Sequence, residues 1–313
     1  MRICVFPLLL SHLALPSASD AQGGGTPFTV AETGRGYGRL QDAVDAIGSG
    51  NGTILVAAGR YRDCAVQADG AITYRAEEAG RSVFSGGICE DKAALVLRGR
   101  SAHVEGLVFD HMAVSDGNGA GIRLESGDLS IEDSLFRDSQ QGLLTASFPQ
   151  GKIAITRSTF SGLGRCDDGL DCAHSVYVGD YGSLSISHCR FEAGRGGHYV
   201  KSRAPRVTIV DNSFDDSQGH ATNYMIDLPN GASGLIHGNE MVQGKDKENY
   251  SAFIALGAEG HENASSGLAI DGNGARFVPG VQRRSALLAD WTGESLRIGV
   301  NDIAQGIAIL DRR

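Results

Sequence analysis

Ile186-Ser-His-Cys-Arg-Phe191, Ile209-Val-Asp-Asn-Ser-Phe214 and Ile236-His-Gly-Asn-Glu-Met241 are three copies of one short pattern. Earlier copies read Val104-Glu-Gly-Leu-Val-Phe109, Ile131-Glu-Asp-Ser-Leu-Phe136 and Ile155-Thr-Arg-Ser-Thr-Phe160. Each runs from an aliphatic residue through two variable positions to a position that is usually small or an amide. One more variable position then precedes a large apolar residue. The last residue of the pattern recurs 23 to 31 positions on. A period of that length, with short strands and no sustained helical pattern, suits a solenoid of parallel strands. Asn and Ser at the fourth position can form hydrogen-bonded ladders from coil to coil, and the terminal Phe residues can stack inside.

A second strand family lies between these copies: 121–124, 142–145, 174–178, 198–201, 224–228 and 253–256. Its alternation makes Ile122, Val176, Val200, Ile226 and Ile254 the inward residues. Two strand families per turn, with a third expected, predict an all-β right-handed parallel β-helix. A β-sandwich is the competing architecture. It would need tight hairpins, and most connections here are longer.

Leu40, Ala43, Val44 and Ile47 recur at helical spacing, so 37–48 is read as a helix capping the solenoid, closed by the Gly-rich stretch 48–52. Weaker strand-like pieces in 268–313 read as the last coils or a C-terminal cap. Arg2, the apolar run 3–10 and the small residues from Ser17 to Ala21 read as a signal peptide over 1–21. The remaining 22–313 form one domain, expected in the periplasm or secreted. The run is too short to span a bilayer, so membrane insertion is not expected.

Composition agrees. Among 313 residues, 44 are Gly without a three-residue period, which excludes collagen. Apolar content of 41% and charged content of 21% are globular rather than disordered. A net charge of −9 argues against nucleic acid as the partner. An oxidising compartment favours disulfides, and Cys166–Cys172 and Cys64–Cys89 are the expected pairs. Cys189 occupies the fourth position of its repeat and is expected to stay a buried thiol.

The stretch Lys201-Ser202, then 209–214, then Asp216-Ser-Gln-Gly-His220 and Gly238-Asn239, resembles the chondroitinase-B and alginate-lyase group within the pectate-lyase-like β-helix superfamily. The resemblance implies a polysaccharide lyase with a lysine base, an assisting arginine and acidic side chains holding calcium. Lys201 matches the base. No arginine matches the second role, because the chain reads Tyr224-Met-Ile-Asp-Leu-Pro229 there.

The residues support the same chemistry from below. Aligning Val176, Val200 and Ile226 puts Tyr177, Lys201 and Asp227 in one outward column. β-Elimination on a uronate needs a base for the α proton, a cation for the carboxylate and an acid for the leaving oxygen. Lys201 is a candidate base. Asp227 beside it favours the ammonium, which would make Lys201 the neutraliser and leave a Tyr or His as base. Arg203 or Arg206 can bind the carboxylate, and Tyr177 or Tyr199 can protonate the leaving oxygen. Tyr199 is expected on the face of Lys201. His174 or His198 can replace either role, and sits inward or at the strand start. His220 and Tyr224 join His174, Tyr199 and Arg206 as substrate-binding candidates. Asp167, Asp168 and Asp171 could hold calcium, although an acidic loop stapled by its disulfide is the plainer reading. Glu248, Asn249, Glu259 and His261 lie on loops near a neighbouring coil and could bind substrate, although ordinary loop polarity is the plainer reading.

The expected partner is thus an acidic polysaccharide or oligosaccharide, bound by a monomer. Calcium is a candidate cofactor only through the resemblance and that acidic loop. A hydrolase on the same fold would need paired carboxylates, for which Asp211, Asp215 and Asp216 are available. A non-catalytic glycan-binding or surface structural protein is the third reading.

Overall fold

The computed structural model describes residues 25–167 and 169–313. The expected signal peptide lies outside them. The chain winds through three parallel sheets in turn, one of twelve strands and two of ten. Each coil contributes a strand to the first, second and third sheet before the next coil begins. Only the opening departs from this. There Phe28–Val30 pairs antiparallel with Arg35–Tyr37 and with Asn51–Val56.

The repeated six-residue pattern spans the corner between the first and second sheets. Its third residue makes the bend. Gly106, Asp133, Arg157, His188, Asp211, Gly238 and Gly272 all sit at positive φ, between 45° and 71°. One left-handed residue per coil turns the chain sharply, at a steric cost for every residue but Gly. The fourth residue then points inward. Asn212, Asn239, Asn273 and Asn301 form the expected amide ladder, each Nδ2 donating to the next Oδ1 at 2.9 to 3.0 Å. Each Oδ1 also accepts the backbone N–H of the preceding ladder residue, so the corner leaves few orphaned groups.

The sixth residue fills the core. Phe84, Phe109, Phe136, Phe160, Phe191 and Phe214 stack in one spine with ring centroids 4.8 to 5.6 Å apart. Such offset pairs add about 1 kcal/mol each beyond the area they bury. In the third sheet Ile122, Leu143, Val176, Val200, Ile226 and Ile254 line up inward, as the alternation requires. That register fixes what faces out beside them.

The helix is shorter than the periodicity predicts. It covers Leu40–Ile47, because Tyr37 is taken into the strand Arg35–Tyr37. Its buried face is Leu40, Ala43 and Val44. Asp63 accepts the first helical N–H, that of Leu40, at 2.9 Å. Gln41 exchanges two hydrogen bonds with the backbone of Val66, at the free edge of the third sheet. At the other end, the chain keeps coiling to Ile307–Arg312, which pairs with Ser285–Asp290. Both expected disulfides are present, Cys64–Cys89 and Cys166–Cys172. Cys189 is a buried thiol in the ladder row.

Replacing Asn239 by Ala removes the acceptor of the Asn212 backbone N–H inside the core. The expected loss is about 3 kcal/mol of unfolding free energy, from an unsatisfied buried donor plus the missing ladder bonds. Chemical denaturation of wild type and Asn239→Ala measures it, and an unchanged midpoint would contradict the ladder's role.

Candidate functional site

The outward column of the third sheet reads Arg123, Leu144, Tyr177, Lys201, Asp227, Ala255 and Ala289 by register. Its centre is charged and its flanks are apolar. Leu144 and Tyr177 belong to an outer apolar cluster on one side. Ala255, Ala289, Tyr224 and Trp291 form another on the far side.

Lys201 Nζ lies 3.1 Å from Asp227 and 2.5 Å from Glu259. Burial works against its ammonium, but the two carboxylates outweigh that and raise its pKa. Lys201 therefore carries a proton in the free protein. Burial also pushes the Asp227 carboxyl up to about 6, against the pull of Lys201. Asp227 is 4% exposed, so burial outweighs that pull, whereas Glu259 is 45% exposed. Burial opposes ionisation of Glu259 too, yet hydrogen bonds from Lys201 and Arg203 hold it down at about 2.

Arg203 stands beside this pair. Its guanidinium donates to Glu259 at 2.5 Å, to the Tyr177 phenol oxygen at 3.0 Å, and to Asn230 Oδ1. The Tyr177 oxygen accepts, so its own O–H proton is free to point at a ligand.

The His residues sit at the strand starts, forming an aromatic row rather than facing the core. His174 and His198 have ring centroids 5.0 Å apart, and His198 stacks on Tyr224 at 5.6 Å. His174 Nδ1 accepts the backbone N–H of His198 at 3.0 Å. His198 Nε2 lies 3.4 Å from Asp227, while its Nδ1 is buried without a partner. Burial, aided by the charge of Lys201, lowers His198 to about 3. Burial also holds His174 well below its usual range. Both rings are neutral.

Other sequence candidates fall elsewhere. Tyr199 does not share the face of Lys201. It precedes the strand Val200–Ser202 at a bend and turns inward, packing on Phe191 and Phe214. Its O–H donates to Asp216 at 2.7 Å, and Asp216 is ion-paired with fully buried Lys247 at 3.3 Å. Arg206 opens the next strand of the first sheet, exposed, opposite Ser233. His220 is exposed and paired with Asp246. Asp215 is taken up by Arg190, and Asp211 makes a corner.

Calcium finds no matching donor set. Among the described residues no three His, Cys, Asp or Glu side chains gather as a metal group. Asp227 and Glu259 face cations instead. Asp167 is paired with Arg165, Asp171 gives Arg165 its backbone carbonyl, and Asp168 lies outside the described residues.

A cavity of about 370 Å³ continues the column past Tyr177, lined by Lys92, Asp116, Asn118, Arg123 and Leu144. A larger hollow of about 840 Å³ runs along the first sheet past Thr73, His103, Ser130 and Lys152. Its lining mixes Thr, Ser, Ala and aliphatic side chains with Glu32, Asp128 and Lys152. Glu259 and Asn230 are site members that the repeats could not reveal, since both sit on loops outside the period.

No protein-family profile matches the sequence, and no curated protein does. Solved structures do share the fold. An alginate lyase of polysaccharide lyase family 6, AlyGC, superposes with a TM-score of 0.56 at 15% identity, over 85% of this chain and 39% of the lyase. An arginine-to-alanine variant of that lyase gives 0.53 at 14%, over 83% and 38%. The Streptococcus pneumoniae surface protein and adhesin PfbA gives 0.50 at 11%, over 87% of this chain and 94% of the adhesin. This chain spans about two fifths of the lyase. The likeness shows the parallel β-helix fold and nothing finer.

Asp227 yields a direct check. Its folded pKa, about 6, lies above the unfolded value near 4. The fold thus binds this proton more tightly, so the stability it contributes is full below about pH 4 and lost as pH rises through about 6. Carboxyl carbon NMR should show Asp227 titrating near 6 and moving higher in Lys201→Met. A midpoint below 4 would contradict the geometry.

Proposed function

We propose that this protein is an exported polysaccharide lyase cleaving a uronate-containing glycan by β-elimination at the Lys201–Arg203–Tyr177 cluster. The observation that carries the reading is the pair of cations, Lys201 and Arg203, converging on one carboxylate beside a phenol whose proton is free. Alginate is the substrate class named for the lyase neighbours, and it is a uronate polymer in keeping with such a site. The two disulfides fit an oxidising compartment, the periplasm or outside the cell.

Roles follow from the charges. Lys201 holds its proton, so it acts with Arg203 to neutralise the substrate carboxylate and the dianionic enediolate that follows. Tyr177 moves the proton: with its own O–H proton lost to solvent and its oxygen held by Arg203, it takes the α proton and then returns it to the leaving glycosidic oxygen as the C–O bond breaks. His198 and Asp227 position Lys201 from below, and the apolar flanks give sugar rings a surface. The nearby carboxylates are bound to Lys201 and Arg203, so this cluster offers calcium no donor set. The hydrolase reading is weaker because its candidate carboxylates are engaged elsewhere: Asp215 pairs with Arg190, Asp216 with Lys247, and Asp211 makes a corner.

The test is ultraviolet absorbance of the unsaturated product during incubation with alginate, pectate, heparinoid and glucuronan substrates. Wild type should raise it on one of them. Tyr177→Phe should cut kcat by about 10²-fold or more. Lys201→Met should cut kcat/KM by about 10²- to 10³-fold. New reducing ends without absorbance would replace lyase by hydrolase. Neither signal would sink the enzymatic reading in favour of a binding protein.

A further inference from the structure

Glu259 is an unusual member of the cluster. Lys201 already has a buried counter-ion in Asp227. Glu259 comes from the loop after Ala252–Leu256, two coils further along the register, and its side chain reaches back to Lys201 and Arg203. Each of its oxygens meets a different cation, Oε1 with Lys201 and Oε2 with Arg203, both at 2.5 Å. That is the demand a ligand carboxylate makes of the same two groups.

The loop backbone is firmly tied. The N–H groups of Glu259 and Gly260 both donate to the Pro229 carbonyl at 2.9 Å. Asn263 donates to the carbonyls of Arg203 and Gly231. The Glu259 side chain is nonetheless half exposed, so it can leave by rotating about its own bonds while the loop stays put. Charge balance makes the exchange specific. With Glu259 seated, two cations face two carboxylates. With it rotated out, one positive charge is left over, enough for one incoming carboxylate.

We infer that Lys201 and Arg203 form a carboxylate subsite and that Glu259 fills it in the free protein as an internal stand-in for the uronate. The inference deepens the lyase reading and rests on it for the identity of the ligand. A free uronate carboxylate displaces Glu259, whereas an esterified or neutral sugar has nothing to exchange for it. Glu259 thereby competes with acids alone: it weakens their binding and leaves a ligand that does not enter the subsite unaffected. If the seated state holds about nine tenths of the free molecules, apparent affinity is weakened about tenfold.

Calorimetry with tetrasaccharides of galacturonate, glucuronate, mannuronate and guluronate, and with methyl-esterified tetragalacturonate, tests this. Glu259→Gln should bind the preferred acid about tenfold more tightly than wild type, leave the ester unchanged, and lose the gain when Lys201→Met is added. Equal or weaker binding by Glu259→Gln, or no binding of any acid to it, would overturn the inference. Tighter acid binding without any unsaturated product would remove the lyase reading and keep the subsite. Unsaturated product with unaltered affinity would do the reverse.

Discussion

The coil-to-coil stacking of one apolar residue per turn is what everything else here leans on. A parallel solenoid has no distant contacts to correct a slipped strand, so register must be fixed between neighbours. The Phe spine does this with ring faces, and the amide ladder does it with hydrogen bonds beside the corner. Side chains of period two then present the same column on every coil. Tyr177, Lys201 and Asp227 meet because Val176, Val200 and Ile226 are held in line.

Much of this was legible before any coordinates. The six-residue pattern carries the spine and the ladder, and the alternation of the third sheet carries the charged column. Both are periodic signals, and period is what a sequence displays openly. The corner was half legible: its third residue looked variable, although Gly and Asp dominate it because left-handed backbone suits them. Tyr199 was misread because parity holds only within a strand. It sits at a bend, where the chain turns its ring inward to Asp216. Arg206 is separated from Lys201 by a corner, which a count of residues does not register. Glu259 and Asn230 had no periodic signal at all. Their places follow from loops that fold back over the coil, and only tertiary hydrogen bonds fix those.

The site's character comes from how few charges it leaves idle. Lys201, Arg203, Asp227 and Glu259 satisfy one another, with a neutral His198 stacked beneath. Removing one partner of a buried pair usually costs more than the pair contributes. Asp227 is therefore a fixed counter-charge under the lysine. The more exposed Glu259 is the one carboxylate of the cluster with water on its other side, and exchange happens there.

The aromatic spine also thins along its axis. It is phenylalanine from Phe84 to Phe214, then gives way to Met241, Ala275 and Ile303 in the same row. In a one-dimensional stack each coil's stability is local, so melting starts where the stack is weakest and advances as a front. The rings back the coils that bear Tyr177, Lys201 and Arg203, and they end before the Met241 coil, from which Glu259 hangs. The two cations and their exchangeable partner are thus mounted on coils with different fillings.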